Sequence, residues 1–287
     1  MQRLRAKLAP YFLILPGGLW LAIFFIIPTV TMLSFSLMTG NEADGYQLTW
    51  HFQNYTDALS TYWPQFLRSL EYGAAATILG IALSYPIAYW IAFKGGKRKS
   101  TYLFLVLLPF FVSFVLRTIS WQFFLSDNGL LLSPLKSMGL VSQDFHILQT
   151  TVAVVLGLTY NYLPFIVLPL YVALERVDPR VVEASSDLYA GRIATFTKVI
   201  FPLSLPGVFA GVIMNFVPAA SDYVNAEILG GPNNTMIGSI IQDQALHVRD
   251  YPTATALSTV LMGGLLVGIF LYARALGTED VLEAAAR

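Results

Sequence analysis

The sequence predicts an all-α, polytopic membrane protein with six transmembrane helices in a single domain, residues 1–287. Of its 287 residues, 56% are hydrophobic and only 12% are charged, whereas a soluble domain is about 45–50% apolar and about 25% charged. Six apolar stretches reach the roughly 20 residues that a membrane-spanning helix needs. The predicted spans are residues 8–37, 72–93, 102–125, 151–174, 203–229 and 254–272.

The first span follows three basic residues, Arg3, Arg5 and Lys7, so a cleaved signal peptide is the alternative interpretation. Its apolar run is well beyond the ~7–15 residues of a signal-peptide core, and no clear small-x-small cleavage site ends it. We therefore predict a span that is retained.

Lysine and arginine set the predicted orientation. Thirteen of the 17 fall at the two termini and in the loops after the second and fourth spans, whereas only Lys136 and Arg249 fall in the opposite loops. Basic residues concentrate on the cytoplasmic side of membrane proteins. Both termini and the polar loop at 175–202 are therefore predicted to be cytoplasmic.

Composition argues against several other functions. Lys+Arg and Asp+Glu are balanced at 17 each, so no net field favours nucleic acid. The chain has no cysteine, and its three histidines lie far apart. An intramembrane enzyme is disfavoured because the sequence lacks a His/Glu metal pair, a Gly-x-Ser-x-Gly motif and paired catalytic carboxylates. It also lacks a phosphate loop for ATP.

The loop after the fourth span reads as two short helices joined by a turn. Asp178 is a good N-cap and Pro179 fits the first helical position. Gly191 is expected to adopt a left-handed conformation that ends the first helix, and the second is expected at 192–200. A short amphipathic helix of this kind needs a surface to dock on.

This loop resembles the cytoplasmic signature of binding-protein-dependent ABC importer permeases. In that signature, three residues separate Glu-Ala-Ala from a Gly, and nine residues separate that Gly from Ile-x-Leu-Pro. Here Glu183-Ala184-Ser185 and the residues 199–202 occupy the two ends at the same spacing. Tyr189 stands at the glycine position, and we expect Gly191 to make the turn instead.

The resemblance implies a type I ABC importer permease bundle with a cytoplasmic coupling helix that sits in a cleft of a separate ATPase. The residues that it assigns to this contact are Asp178, Glu183, Ala184, Ser185, Asp187, Leu188, Tyr189, Gly191 and Pro202. It implies a bacterial plasma (inner) membrane protein that is not an enzyme and binds neither metal nor cofactor, since ATP and Mg are used by the ATPase. The implied partners are a second homologous permease, two ATPase copies, an extracytoplasmic solute-binding protein and the lipid bilayer.

Four further stretches resemble permeases of spermidine/putrescine importers, namely residues 124–140, 159–185, 229–244 and 248–258. The resemblance implies polyamine uptake. The same class of importer for another small organic or cationic solute is the alternative. A stand-alone secondary carrier is a further alternative, although such carriers usually contain internal repeats, and we see none.

A polycation crossing the bilayer requires carboxylates or aromatic faces along its path. The candidates are Asp222, Tyr223 and Glu227, which follow a proline at 218, together with Trp121 and Tyr160. For Asp222, packing against the second permease is an equal alternative.

Two arginines at or inside spans also need partners. The spacing of Arg68 and Glu71 favours a local i, i+3 pair over a path role for Glu71. Arg117 is costly in a span unless it is paired, and Asp127 is the candidate partner.

Overall fold

The computed structural model describes residues 14–275, and the chain there is predominantly helical. The first four α-helices are α1 (Ile14–Phe35), α2 (Gln53–Lys94), α3 (Lys99–Leu107) and α4 (Phe114–Leu125). The others are α5 (Leu132–Ser137), α6 (Thr151–Glu175), α7 (Pro179–Asp187), α8 (Arg192–Thr195), α9 (Phe201–Ala220), α10 (Ile237–Asp243) and α11 (Tyr251–Ala275).

A two-stranded antiparallel hairpin is an addition to the predicted all-α fold. Strands β1 (Met38–Asn41) and β2 (Gly45–Leu48) pair with Asn41 opposite Gly45. The Asn41 side chain accepts hydrogen bonds from the backbone N–H groups of Ala43 (2.9 Å) and Asp44 (2.8 Å), which closes the turn. Asparagine and glycine favour such turns, and the sequence reading missed this signal.

The predicted spans are recovered with shifted bounds. Within residues 14–275, five helices are long and apolar enough to cross a membrane, and a sixth span is formed if the bent pair 96–111 and 114–125 counts as one. The pair bends by 90°, where Val112 is extended and Pro109 lies in the preceding 3₁₀ segment. Proline lacks the N–H that would continue the helix. Residues 8–13 of the first predicted span lie outside the described residues, as do Arg3, Arg5, Lys7 and Arg287.

Two helices have bounds that differ from those of the predicted spans. Helix α2 has 42 residues and begins at Gln53 rather than near Tyr72. Helix α9 ends at Ala220 rather than at Leu229, and residues 226–230 form a separate π-helical turn. The helix ends there because Asp222 uses its side chain to cap that following turn.

The described chain divides into two compact units, one made of residues 14–63 and 241–264. In this unit the hairpin is bound to the turn that precedes α11. The Tyr46 hydroxyl donates to the Arg249 carbonyl (2.7 Å), and the Arg249 guanidinium contacts both carboxylate oxygens of Glu42 (2.7 and 2.8 Å). The hydrogen bonds to Glu42, and the charge of that carboxylate, raise the pKa of Arg249 above its ordinary value.

The second unit, residues 64–240 and 265–275, contains the packed core and all the candidate site residues. Helices α6 and α9 approach closely where α9 carries Gly207. A Cβ there would lie 2.6 Å from both the Ala173 Cβ and the Pro169 carbonyl oxygen. Only glycine permits this separation. The polar loop at 175–202 therefore connects two closely packed helices, α6 and α9.

Candidate functional site

Helix α7, the first helix of the polar loop, begins as the sequence predicts. The Asp178 carboxylate accepts a hydrogen bond from the Arg180 backbone N–H (2.9 Å), and Pro179 occupies the first helical position. This cap satisfies one of the donors that every helix start leaves free. Glu183, Ala184 and Asp187 are all exposed on α7, and Pro202 is exposed near the start of α9.

Ser185 joins the two short helices of the loop. Its buried hydroxyl lies 2.9 Å from the Thr195 hydroxyl and also donates to the Val182 carbonyl (2.7 Å). An alanine, which the signature has at this position, could not make either bond. The departure from the signature at Ser185 is therefore matched by Thr195, a residue that sequence reasoning missed.

The expectation that Gly191 makes the turn was wrong. Gly191 is extended (φ −68°, ψ 162°) and serves as the N-cap of α8. Tyr189 is itself left-handed (φ 59°). Its N–H bonds to the Ser186 carbonyl and the Ala190 N–H bonds to the Ser185 carbonyl, both at 3.0 Å. This is a Schellman cap, which places the left-handed residue directly after the helix end, where the signature has its glycine.

We expect Tyr189→Gly and Tyr189→Asn to leave loop stability unchanged or raise it by about 1 kcal/mol, because both residues tolerate φ > 0. Tyr189→Val should lower it by about 1–2 kcal/mol, because a β-branched residue is strained there. Gly191→Ala is the control, since its backbone is unstrained and no atom lies within 4 Å of the added Cβ. Thermal unfolding of the purified chain measures all four; a Gly191→Ala defect larger than that of Tyr189→Val would contradict the assignment.

Three large apolar side chains project from the loop into open space. Leu188, Tyr189 and Ile193 are 81%, 97% and 80% exposed, and we call them the docking surface. On the opposite side, the Phe196 ring packs edge-to-face on Tyr85 with centroids 5.5 Å apart. The loop is thus anchored to the helices below and presents an apolar surface outward, as protein contact sites do.

The predicted path residue Asp222 lies inside its own subunit. It is buried, and its carboxylate accepts hydrogen bonds from the Asn225 backbone N–H (2.6 Å), the Asn225 side-chain amide (3.2 Å) and the Tyr162 hydroxyl (2.8 Å). Tyr223 and Glu227 are exposed on adjacent turns, and the Glu227 N–H bonds to the Tyr223 carbonyl (2.9 Å). Asp222 therefore fixes the turn that displays Tyr223 and Glu227.

Asp222 belongs to a buried polar network that sequence reasoning missed. The Asn161 amide donates to the hydroxyl of Thr118 and to the side-chain oxygen of Asn225, both at 3.0 Å. The network connects α4, α6 and the turn after α9. Isolated polar residues within apolar spans were the signal that could have revealed it, since such groups need partners.

Trp121 and Tyr160 are brought together, with ring centroids 5.3 Å apart. They line a cavity of about 490 Å³ that Arg117 also lines. A fixed cation in this cavity opposes the binding of a cationic solute there. Of the aromatic candidates, Tyr223 beside Glu227 thus has the more favourable electrostatic setting.

The two predicted ion pairs of the span arginines were wrong. Asp127 pairs with Lys136 (3.0 Å), and the Arg117 guanidinium instead lies 5.2 Å from the centre of the Phe110 ring. Arg68 donates to the Thr235 carbonyl (2.9 Å) and not to Glu71. Within residues 14–275, no three histidine or carboxylate side chains lie close enough to hold a metal ion.

Residues 80–275 match the family described as "Binding-protein-dependent transport system inner membrane component". The chain is 36% identical over 260 residues to the spermidine/putrescine transport system permease protein PotB of Haemophilus influenzae, covering 89% of this chain and 90% of that one. It is 33% identical over 268 residues to PotB of Escherichia coli, covering 92% and 98%.

Two solved structures share the fold at lower identity. A bacterial ABC transporter involved in the import of the acidic polysaccharide alginate aligns with a TM-score of 0.71 at 18% identity, covering 96% of each chain. The MetNI methionine ABC transporter aligns with a TM-score of 0.54 at 18% identity, covering 77% of this chain and 94% of that one.

These matches define the class of the protein as a permease subunit of an ABC importer. The chain belongs to the family of binding-protein-dependent transport system inner membrane components.

Proposed function

We propose that this chain is the polyamine permease subunit of an ATP-driven importer in a bacterial inner membrane, carrying spermidine, putrescine or both. The observation that carries the proposal is the similarity to PotB proteins, at 33–36% identity over about nine tenths of the chain. The alternative within the same class is an importer of another small organic or cationic solute.

The coupling part of the proposal rests on the loop at 178–202. We infer that its docking surface, Leu188, Tyr189 and Ile193, binds a cytoplasmic ATPase that uses the ATP and Mg. Its exposed apolar side chains support this inference, and so does the concentration of lysine and arginine on that side of the chain. Both termini are then cytoplasmic, and the hairpin at 38–48 faces the solute-binding protein outside.

The path part of the proposal assigns cation contacts to Glu227 and Tyr223. Glu227 offers a carboxylate and Tyr223 an aromatic face, and both are exposed next to the end of α9. A second permease subunit completes the path on the other side. Asp222 contributes by holding this turn in place.

Uptake into proteoliposomes tests the proposal. The chain is reconstituted with the second permease, the ATPase and the binding protein, and labelled spermidine and putrescine are supplied. We expect uptake that requires both ATP and the binding protein. Uptake that persists without the ATPase would indicate a secondary carrier, and ATPase stimulation only by a non-polyamine solute would indicate the alternative cargo.

A further inference from the structure

Arg117 carries a buried positive charge that has no carboxylate partner in the described chain. The residue is 6% exposed. Its guanidinium lies over the rings of Phe110 and Phe114, at 5.2 and 5.6 Å from their centres, and one terminal nitrogen is 3.5 Å from the Asn161 carbonyl. The Nε–H has no hydrogen-bond partner within residues 14–275, and no acidic side chain there lies within 4.0 Å.

The cavity beside Arg117 is rich in unused donors. Trp121 and Tyr160 line it as well, and neither makes a hydrogen bond with its indole N–H or its hydroxyl within the described part of the chain. The remaining polar lining residue, Ser120, already donates to the Leu116 carbonyl (2.8 Å). The guanidinium, the indole and the phenol together favour an anionic acceptor.

The depth of the site restricts the source of that anion. Asn161, whose carbonyl faces Arg117, is the eleventh of the 25 residues of α6. At 1.5 Å per residue it lies about 15 Å from one helix end and about 21 Å from the other, near the middle of a hydrocarbon core of about 30 Å. A lipid phosphate stays at the membrane surface and does not reach this depth. The proposed cargo is a cation, which Arg117 repels.

The surface around the cavity is suited to contact with another membrane helix. Val112 and Phe124, which line the cavity from the two sides of the break in the span, are 49% and 38% exposed. The other lining side chains include residues of α4 and α6. A charged residue buried in a membrane protein faces a partner charge or water. An apolar helix that carries one acidic side chain would cover the exposed apolar surface and would also supply a partner charge for Arg117.

We propose that Arg117 pairs with a carboxylate side chain that a transmembrane helix of the second permease presents in this cavity. The proposal rests on the proposed function in one respect, namely that a second permease is part of the importer. In the complex, the guanidinium Nε–H donates to that carboxylate, and the pair aligns the broken span of this chain against its neighbour.

Co-purification tests the pairing. The tagged chain is co-expressed with the second permease, and the amount of second permease recovered in mild detergent is compared among wild type, Arg117→Gln and Arg117→Lys. We expect at least a fivefold loss for Arg117→Gln and recovery of at least half for Arg117→Lys. Arg68→Gln is the matched control, because Arg68 donates to the Thr235 carbonyl (2.9 Å) and, unlike Arg117, leaves no buried nitrogen without a partner in the described chain. It should recover the wild-type amount.

Two further measurements separate pairing from folding. The tagged chain expressed without the second permease should show the same yield and melting temperature with Arg117→Gln as without it. Neutralising the membrane-embedded Asp and Glu residues of the second permease one at a time should reproduce the loss at one position, and exchanging the two charges should restore recovery.

The outcomes distinguish this inference from the proposed function. If Arg117→Gln recovers the second permease as well as wild type, or destabilises the chain expressed alone, the pairing is wrong and the proposed function stands. If the wild-type chain itself recovers no second permease, the proposed function fails and the pairing fails with it.

Discussion

Asp222→Ala is expected to reduce the yield of folded chain by at least tenfold. The substitution removes the acceptor of three hydrogen bonds, from the Asn225 backbone and side chain and from the Tyr162 hydroxyl, in a buried setting. Each buried donor left without a partner costs about 1–3 kcal/mol. The sum is a large fraction of the ~5–15 kcal/mol by which proteins are stable.

Two milder variants test whether the loss of stability follows the number of hydrogen bonds that are removed. Tyr162→Phe removes one donor and should cost about 1 kcal/mol. Asp222→Asn keeps an oxygen for the Asn225 N–H but replaces the other oxygen with a donor, so an intermediate loss is expected. Detergent size-exclusion profiles and melting temperatures provide the readout, with the exposed Glu227→Gln as the control from the same turn. A stable, monodisperse Asp222→Ala chain would show that this cap is dispensable.

Leu188→Ser is expected to lower stimulation of the partner ATPase by at least tenfold without changing the stability of the chain. The side chain is 81% exposed, so its removal leaves no cavity within this subunit. At a contact surface, by contrast, a central apolar anchor typically contributes 2 kcal/mol or more, and about 1.4 kcal/mol corresponds to tenfold in affinity. The large expected loss of ATPase stimulation therefore reflects weaker binding of the loop to the ATPase.

Lys198→Gln is the matched control, because Lys198 is exposed on the same loop but lies outside the docking surface. ATP hydrolysis is measured in the reconstituted importer with saturating binding protein and cargo. Wild-type hydrolysis by Leu188→Ser, or an equal loss with Lys198→Gln, would show that the docking surface does not make the coupling contact.

The features that the sequence predicted correctly are those set by local chemistry. The start of α7 is set by neighbours in sequence, since Asp178 caps the Arg180 N–H and Pro179 fills the first helical position. The apolar stretches that predict membrane spans are likewise contiguous, and they do not depend on tertiary partners. The resemblance of residues 183–202 to the family signature likewise led to the correct family, because that motif is contiguous.

The features that could not be predicted depend on partners distant in sequence. Helix α9 ends at Ala220 because Asp222 caps the turn that follows, and Tyr162, 60 residues away in sequence, donates a hydrogen bond to the same carboxylate. The counter-charge expected for Arg117 was assigned by proximity in sequence, whereas Asp127 binds Lys136 instead.

The prediction that Gly191 makes the turn was wrong for a different reason. Glycine is the common residue at a left-handed cap, so Gly191 was favoured over the residue that occupies the cap position. The Schellman hydrogen bonds, from Tyr189 and Ala190 to the end of α7, fix the position regardless of residue type.

Site-specific crosslinking tests the central claim, that the loop at 178–202 couples this permease to an ATPase, most directly. The chain has no cysteine, so Ser186→Cys, on the exposed face of α7, introduces a single thiol. With a cysteine introduced in the ATPase cleft, it should crosslink in the assembled importer and resist a membrane-impermeant thiol reagent added to intact cells. Asp44→Cys, in the exposed turn of the hairpin, should react with that reagent. Labelling of Ser186→Cys from outside, with no crosslink to the ATPase, would contradict both the orientation and the coupling role.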